Sequence, residues 1–561
     1  MRSGVWRVVR VSAAFVVYGA LAAAVLGAPV AAERAVEAVR IEDRLGTVPV
    51  ELSLTHHGRS VLDTGVLGSL YWDQTGALGF GARVRVTDTP QADGTLASYA
   101  SPRFVRANAV FVSAPEQVAG AYGDALRSQL LGHLMWRELA AFMVGGLVMT
   151  AVFRARSPIP AAWSRRRSII SGAVALVTLG AVSWGTAAWL FARWEGNAEV
   201  PDAYAMPGIS ELSFSSPQSL EIARQVRPFL EKNNERIQER TRTYLDEAEE
   251  SLAGELTVRA GDLAPRDGEL VVLAEADPQG SHVGTRVRTL VYAALVEAIG
   301  VDAFAVRTIS GGITSNGTIA EAGFVEVEVA ASGEIPTVVV KGDHDTGTTL
   351  EQLSATSATN PHFDPTEVSG LRIVAGNDPA FKTLFGGTVV NETGVSETEL
   401  GEQLRTYVDD EDPDAVVVLL HQPRSAAGYL GLGSLDDLPN ETDDRPLDLT
   451  TPVDDGIPDV PPGIVNIGHL HDAELPRVVW NTDGDETTWT VVNQLGTSGG
   501  VEERPTFNRF STPYSAPLKR VSIQLQYVDR ETGLQTGYAS IEFATDGVAT
   551  VAGRTDLGQS E

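Results

Sequence analysis

Gly463-Ile-Val-Asn-Ile-Gly-His-Leu-His471 is an apolar run that stops abruptly at two imidazoles. Its first five residues have the composition of a strand buried on both faces, continuous rather than alternating. His469 and His471 follow, two residues apart. On an extended strand end that spacing turns both side chains to one side. The same design recurs upstream. Ala415-Val-Val-Val-Leu-Leu420 ends at His421, and Pro336-Thr-Val-Val-Val340 leads to Gly342-Asp343-His344-Asp345. Leu270-Val-Val-Leu-Ala274 leads to Asp277. Strands that collect polar residues at their C-terminal ends are how α/β sheets build ligand sites. The expectation is an α/β domain, with the helical stretch from Thr285 to Ile299 and the strand at Asp302–Val306 joining the first two β runs.

Cysteine is absent and there are nine histidines. Any metal is therefore held by His, carboxylate or amide, a donor set suited to manganese, iron or zinc. A pair of such ions can clamp the attacking and leaving oxygens of a phosphoester while a histidine protonates the leaving group.

In their order, these motifs resemble those of the calcineurin-like metallophosphoesterases: Asp-x-His, Gly-Asp, Gly-Asn-His-Asp or Glu, a single His, then Gly-His-x-His. The resemblance spans roughly Glu269 to the C-terminus, including Ile313-Thr-Ser-Asn-Gly-Thr-Ile-Ala-Glu321 and Asn493-Gln-Leu-Gly-Thr-Ser-Gly-Gly500. It implies a four-layer α/β/β/α sandwich and a dinuclear centre with one or two divalent ions. By resemblance, Asp343, His421 and His469 line one metal position, Asp277, Gln279 and His471 line the other, and His344 is the catalytic acid.

The departures bear on chemistry. Asp277-Pro278-Gln279 stands where the family has Asp-x-His, and Gly311-Gly312 where it has the Gly-Asp whose carboxylate bridges both ions. The expectation is one well-held ion at Asp343 and a weak or empty second position. His282 and Asp345 are alternative ligands of lower weight, a surface residue and an orienting residue being the plainer readings. His362 and Gly376-Asn377-Asp378 read as turns, and His56 with His57 as surface residues.

Three apolar segments occupy the first third: Val11 to Ala32, about Leu139 to Phe153, and Ser168 to Phe191. The third is long enough for a span, and the second is short unless its helix begins nearer Leu130. Arg2, Arg7 and Arg10 precede the first, and Arg154, Arg156, Arg165, Arg166 and Arg167 separate the second from the third. Positive residues favour the cytoplasmic side. The expected protein is thus multi-pass in the cell membrane, with residues 33–135 and everything after about 193 outside. The first segment also has the small residues of a signal-peptide cleavage site.

The expected divisions are an anchor or signal peptide at 1–32, a β-rich extracytoplasmic region at 33–135, and two transmembrane helices at 136–193. A helical connector follows at 194–253, then the phosphoesterase-like domain at 254–561. Within the connector, Ile222, Val226, Phe229 and Leu230 mark an apolar face. Val521–Tyr527 and Ala539–Phe543 alternate and read as an edge hairpin of the second sheet.

The chain carries 73 acidic against 43 basic residues, a formal charge of -30, and lysine only at 232, 341, 382 and 519. Such a surface repels a phosphate backbone and argues against a nucleic-acid partner. Two functional classes remain. One is a membrane-anchored hydrolase of phosphomonoesters or phosphodiesters; the other is an inactive phosphoesterase fold used as a binding domain outside the membrane.

Overall fold

The computed structural model describes residues 2–24, 28–45, 48–55, 60–63, 69–72, 81–87, 115–153, 185, 204–206, 209–382, 389–391, 393–411, 413–438, 449–453, 456–457, 459–481, 487–502 and 514–558. His56, His57, the basic residues at 154–167 and nearly all of the third apolar segment lie outside the described residues. Two compact units result, one holding most of the first 228 residues and the other running from Phe229 to the C-terminus with two short segments from earlier in the chain.

In the first unit, the expected first span is divided between two helices, Arg2–Ala22 and Ala28–Ala38. The expected second span belongs to a much longer helix, Pro115–Val152. Its stretch Gly120–Val152 is long and apolar enough to cross a membrane, the one such helix among the described residues. The two long helices touch through aromatic rings. Phe15 meets Phe142 edge-on at 5.6 Å, and Tyr18 stacks on Phe153 at 5.5 Å. A seven-stranded sheet runs in the order Arg40–Leu45, Val48–Leu54, Ala82–Val86, Ser60–Asp63, Ser69–Trp72, Ile209–Phe214, Tyr204–Met206. Its last two strands come from the stretch expected to be a helical connector. Leu70 is registered against Phe214 in the antiparallel pair that joins the two parts.

In the second unit, two sheets face each other. The first has the order Thr337–Val339, Phe304–Ile309, Glu269–Glu275, Val521–Asp529, Gln535–Phe543, Ala549–Val551. The second runs Thr366–Val368, Leu371–Ala375, Val416–Leu420, Gly463–Ile467, Thr488–Gln494, Arg477–Asn481, with its four inner strands parallel. Successive strand residues point to opposite faces. Leu270 and Val272 accordingly meet Ile373, Val417, Leu419 and Ile464 between the sheets. Val271 and Leu273 pack outward on Val283, Val287 and Val291 of helix His282–Ile299. On the far side, Val416, Val418 and Leu420 pack on Leu404 and Val408 of helix Glu397–Glu411 and on helix Pro423–Leu430. Each fully buried Leu or Val contributes about 1.5–3 kcal/mol.

The expected edge hairpin is placed differently. Val521–Asp529 pairs with Glu269–Glu275 in the middle of the first sheet, and every residue but Asp529 is buried. Alternation suggests one wet face. The buried glutamines Gln524 and Gln526 instead satisfy each other and Asn466 between the sheets, so polar residues here do not mark solvent. Helix Pro217–Arg259 packs through Tyr244, Leu245, Ala248, Leu252 and Leu256, while the side chains of Ile222, Val226, Phe229 and Leu230 lie outside the described residues.

Candidate metal centre

The strand that delivers Asp277 is anchored below it. Beneath Asp277, four side chains with no exposure close a charged square. Arg307 Nε donates to Glu275 Oε1 at 2.8 Å, and Arg288 Nε lies 3.1 Å from Glu275 Oε2, while both guanidinium groups also reach Glu328. Burial works to raise the carboxyl of Glu328, and Arg288 and Arg307 overturn it, down to about 2. Arg288 also donates to the carbonyl of Ser498, tying in the glycine-rich turn. From this base the chain turns sharply. Asp277 N donates to Gly311 O at 3.0 Å and Gln279 N to Gly312 O at 2.8 Å.

The loops carry backbone strain where the candidate ligands sit. Asp277, Gln279, His469 and His471 all have positive φ, at 52°, 42°, 72° and 59°. Left-handed non-glycine residues are uncommon, and they concentrate where surrounding structure forces them. The strand therefore ends at Ile467, and the two histidines do not lie on an extended end pointing to one side. They diverge, His469 toward Asp343 and His471 toward Asp277.

Among the described residues, Asp343, His421 and His469 form the one group able to hold a metal ion, with ligand atoms all within 4.8 Å of one another. His421 Nε2 is 3.0 Å from Asp343 Oδ1, and His469 Nδ1 is 3.4 Å from Asp343 Oδ2. His421 Nδ1 lies 2.9 Å from the carbonyl of Ser310, which can only accept. Nδ1 therefore carries a proton, and only in a neutral ring does Nε2 turn a lone pair toward the carboxylate. Two acceptors at that distance repel unless a cation, proton or metal, lies between them. Burial works against a charged His421, but Asp277 and Asp343 outweigh it and raise its pKa to about 10. Burial likewise works to raise Asp343, which His344, His421 and His469 hold well below the usual carboxylate range. The donor set fits a divalent ion.

The second position is built differently. His471 Nδ1 donates to Val501 O at 2.8 Å, leaving Nε2 as the acceptor of a neutral ring. The amide nitrogen of Gln279 lies 3.0 Å from that Nε2 and donates to it. Asp277 Oδ1 is 3.6 Å from the same nitrogen and, though fully buried, has no hydrogen-bond partner. Its other oxygen accepts from His469 N at 2.8 Å. A Cβ on Gly312 would stand 2.3 Å from Asp277 Oδ1, and the residue has a φ of 67°. The turn that lacks the bridging carboxylate also lacks room for one.

His344 is buried, its Nε2 3.9 Å from Asp343 Oδ1. Its Nδ1 donates to Ser315 O at 3.0 Å, so Nε2 is the nitrogen facing the cluster. Asp345 orients rather than ligates: it accepts from the backbone of Ile313, Thr314 and Gly342 and from the Thr314 hydroxyl. His282 is stacked on Tyr514 at 4.4 Å with its pKa pushed down to about 4, burial outweighing Glu328. His362 accepts from Asn377 N, away from the centre.

Two neighbours were not legible as site residues. Gln422 donates to Asp378 Oδ2 at 2.9 Å and lies 3.4 Å from His469 Nδ1. Asp378 is buried, not part of a simple turn, and burial raises its carboxyl. The signal for Gln422 was adjacency to His421; that for Asp378 was the apolar strand Leu371–Ala375 ending at Gly376-Asn377-Asp378, which reads as a turn.

No protein-family model and no curated protein matches the chain. Among solved structures it is similar to NAD nucleotidase (NadN) of Haemophilus influenzae, at 11% identity and a TM-score of 0.27, over 51% of this chain and 50% of that one. It is also similar to TT1561 of Thermus thermophilus, at 11% identity and a TM-score of 0.27, over 49% of this chain and 99% of that one. The chain thus spans about half the length of the nucleotidase.

Proposed function

We propose that this chain is a membrane-anchored phosphoesterase-like hydrolase, working outside the cytoplasm on phosphomonoesters or phosphodiesters with one divalent ion. Asp343, His421 and His469 would hold that ion. The observation that carries the reading is the convergence of Asp343, His421 and His469, whose ligand atoms all lie within 4.8 Å of one another. Two facing sheets with helices on both outer sides support a metallophosphoesterase-like sandwich, as does the order of the strand-end motifs.

A divalent ion at this position would polarise a phosphoryl oxygen and lower the pKa of water. The protein's own part falls to His344, whose tautomer is fixed by Ser315. With Nδ1–H held there, the imidazolium form would carry on Nε2 the proton that the leaving oxygen takes up. Asp343 orients His421 and His469 around one point. Asp277 and His471 flank them, with the second position closed by Gln279.

A topological relationship supports the membrane placement. The strand Ser69–Trp72 precedes the Gly120–Val152 helix, and its partner Ile209–Phe214 follows it. Strands of one sheet share one side of a membrane. A chain that crosses in that helix must therefore cross again before Tyr204, and the apolar run from 168 to 191 is the segment long enough to do so. The basic residues at 154–167 then lie on the cytoplasmic side.

The second reading, an inactive fold displayed as a binding domain, is favoured by the Gln279–His471 hydrogen bond and the crowding at Gly312. Hydrolysis separates the two. The full chain in detergent is assayed on bis-(p-nitrophenyl) phosphate and on the monoester, with manganese titrated and His344→Ala as control. Turnover that needs manganese and drops about 100-fold or more in the control supports the hydrolase. A folded chain with no turnover at any manganese concentration supports the binding domain.

A further inference from the structure

The loop that holds His344 has its own anchor, and it is a buried carboxylate with no part in the centre described so far. Glu321 is 4% exposed. Its Oε1 accepts from Ser315 N at 2.6 Å, and its Oε2 accepts from Asn316 N at 3.2 Å and Thr318 N at 3.1 Å, as well as from the Thr318 hydroxyl. Part of this is ordinary helix capping, because Thr318 and Glu321 form the capping box of a short helical turn. The bonds to Ser315 and Asn316 lie outside that box. They gather backbone donors of one loop around one carboxylate, and each of these partners is a donor.

Ser315 is the residue whose carbonyl accepts the Nδ1 proton of His344. Its hydroxyl donates to Gln279 O at 2.7 Å, so the same residue also touches the loop of the second metal position. Thus Ser315 is fixed on its N–H side by Glu321 and presents its C=O side to the imidazole. We infer that Glu321 is the positioning residue for His344: by clamping Ser315 it holds the ring through Nδ1–H and so aims Nε2 at the reaction. The inference rests on the reading of His344 as general acid for its catalytic consequence, but not for its geometry.

The prediction is tested by 15N spectroscopy of the full chain labelled at histidine. The nine rings are resolved by difference against His344→Ala. In its neutral form the wild-type His344 ring is expected as the Nδ1–H tautomer. Glu321→Gln turns an amide N–H toward backbone donors, and His344 is expected to shift to the Nε2–H form or a mixture. Thr318→Ala breaks the capping box but leaves Ser315 held, so it is expected to keep the wild-type signature. Glu321→Asp, which withdraws the charge by one methylene, serves if the glutamine variant does not fold; it is expected to show the mixture. With the hydrolase active, Glu321→Gln is further expected to lower kcat by about 100-fold with KM little changed, as a misplaced acid does. An unchanged tautomer in a folded Glu321→Gln or Glu321→Asp protein overturns the inference. A tautomer that moves in a protein without hydrolysis upholds Glu321 as the anchor of His344 and removes the phosphoesterase reading instead.

Discussion

Gln279 donates its amide proton to His471 Nε2 across 3.0 Å, closing with one hydrogen bond the position where the resemblance places a second ion. The same nitrogen cannot accept that proton and ligate a metal. Gln279→Glu removes the donor and adds a carboxylate beside the unpartnered Asp277 Oδ1. The variant is expected to take up a second manganese that the wild type does not. Elemental analysis after gel filtration reads this directly, and a count that stays unchanged would mean Gln279 is not what closes the position.

Restoring the missing bridge is a different matter. At Gly312 a Cβ meets Asp277 Oδ1 at 2.3 Å, and the φ of 67° strains any side chain. A left-handed non-glycine residue alone costs on the order of 1–3 kcal/mol. Gly312→Asp is therefore expected to lower the melting temperature and to leave the second position unrepaired. A variant as stable as wild type that gained a second ion would show that Asp277 can move aside.

The charged square under Asp277 makes a stability claim. Arg288 has no exposure and contacts Glu275, Glu328 and Ser498 O. Arg288→Met leaves buried carboxylate charge uncompensated, expected to cost about 3–5 kcal/mol in denaturant unfolding. A loss below about 1 kcal/mol would mean that the square contributes nothing net.

Stability should respond to pH in two opposite ways. Burial raises the carboxyl of Glu321 to about 7 against the donors around it. A carboxyl raised on folding stabilises fully below its unfolded value, near 4.5, and loses that contribution as pH climbs through about 7. Glu269 and Glu328 run the other way. Burial works to raise them, but Arg554 for the first, and Arg288 with Arg307 for the second, bring them down to about 2. Their contribution is present above about 4.5 and disappears as pH falls toward about 2. His282, held down to about 4, opposes Glu321 up to about pH 6.5, so in a His282→Asn background the melting temperature is expected to peak at about pH 4.5–5 and decline on both sides. A steady rise from about pH 5 to about pH 8 would contradict the assignment for Glu321.

Because the chain has no native cysteine, its membrane path can be mapped with single introduced thiols. Thr87→Cys and Tyr204→Cys sit at exposed positions in strands, or at the ends of strands, that flank the apolar region. Both are expected to react with an impermeant maleimide from outside, while Ser164→Cys reacts only after permeabilisation. Opposite labelling of Thr87→Cys and Tyr204→Cys would break the paired-crossing topology.

Much of the second unit was legible from its sequence because continuous apolar runs ending in Asp, Gly or His are a strong pattern. The run before His421 is a strand buried along its whole length, as is the run before Gly468. What failed, failed for physical reasons. Val521–Asp529 alternates polar and apolar residues, yet its glutamines are satisfied by amide partners inside the sandwich, so alternation misplaced it at an edge. Glu321 comes near the centre only through tertiary folding, and no spacing in the sequence reveals that. The left-handed backbone at His469 and His471 is likewise invisible in Gly-His-Leu-His, although it decides that the two rings diverge.

The central claim is that Asp343, His421 and His469 hold a single divalent ion. The most direct test is isothermal titration of the metal-stripped full chain with manganese, alongside Asp343→Asn and His421→Ala. One equivalent bound by the wild type and none by either variant is the expected result. No binding by the folded wild type, or binding that survives in His421→Ala, would contradict the account.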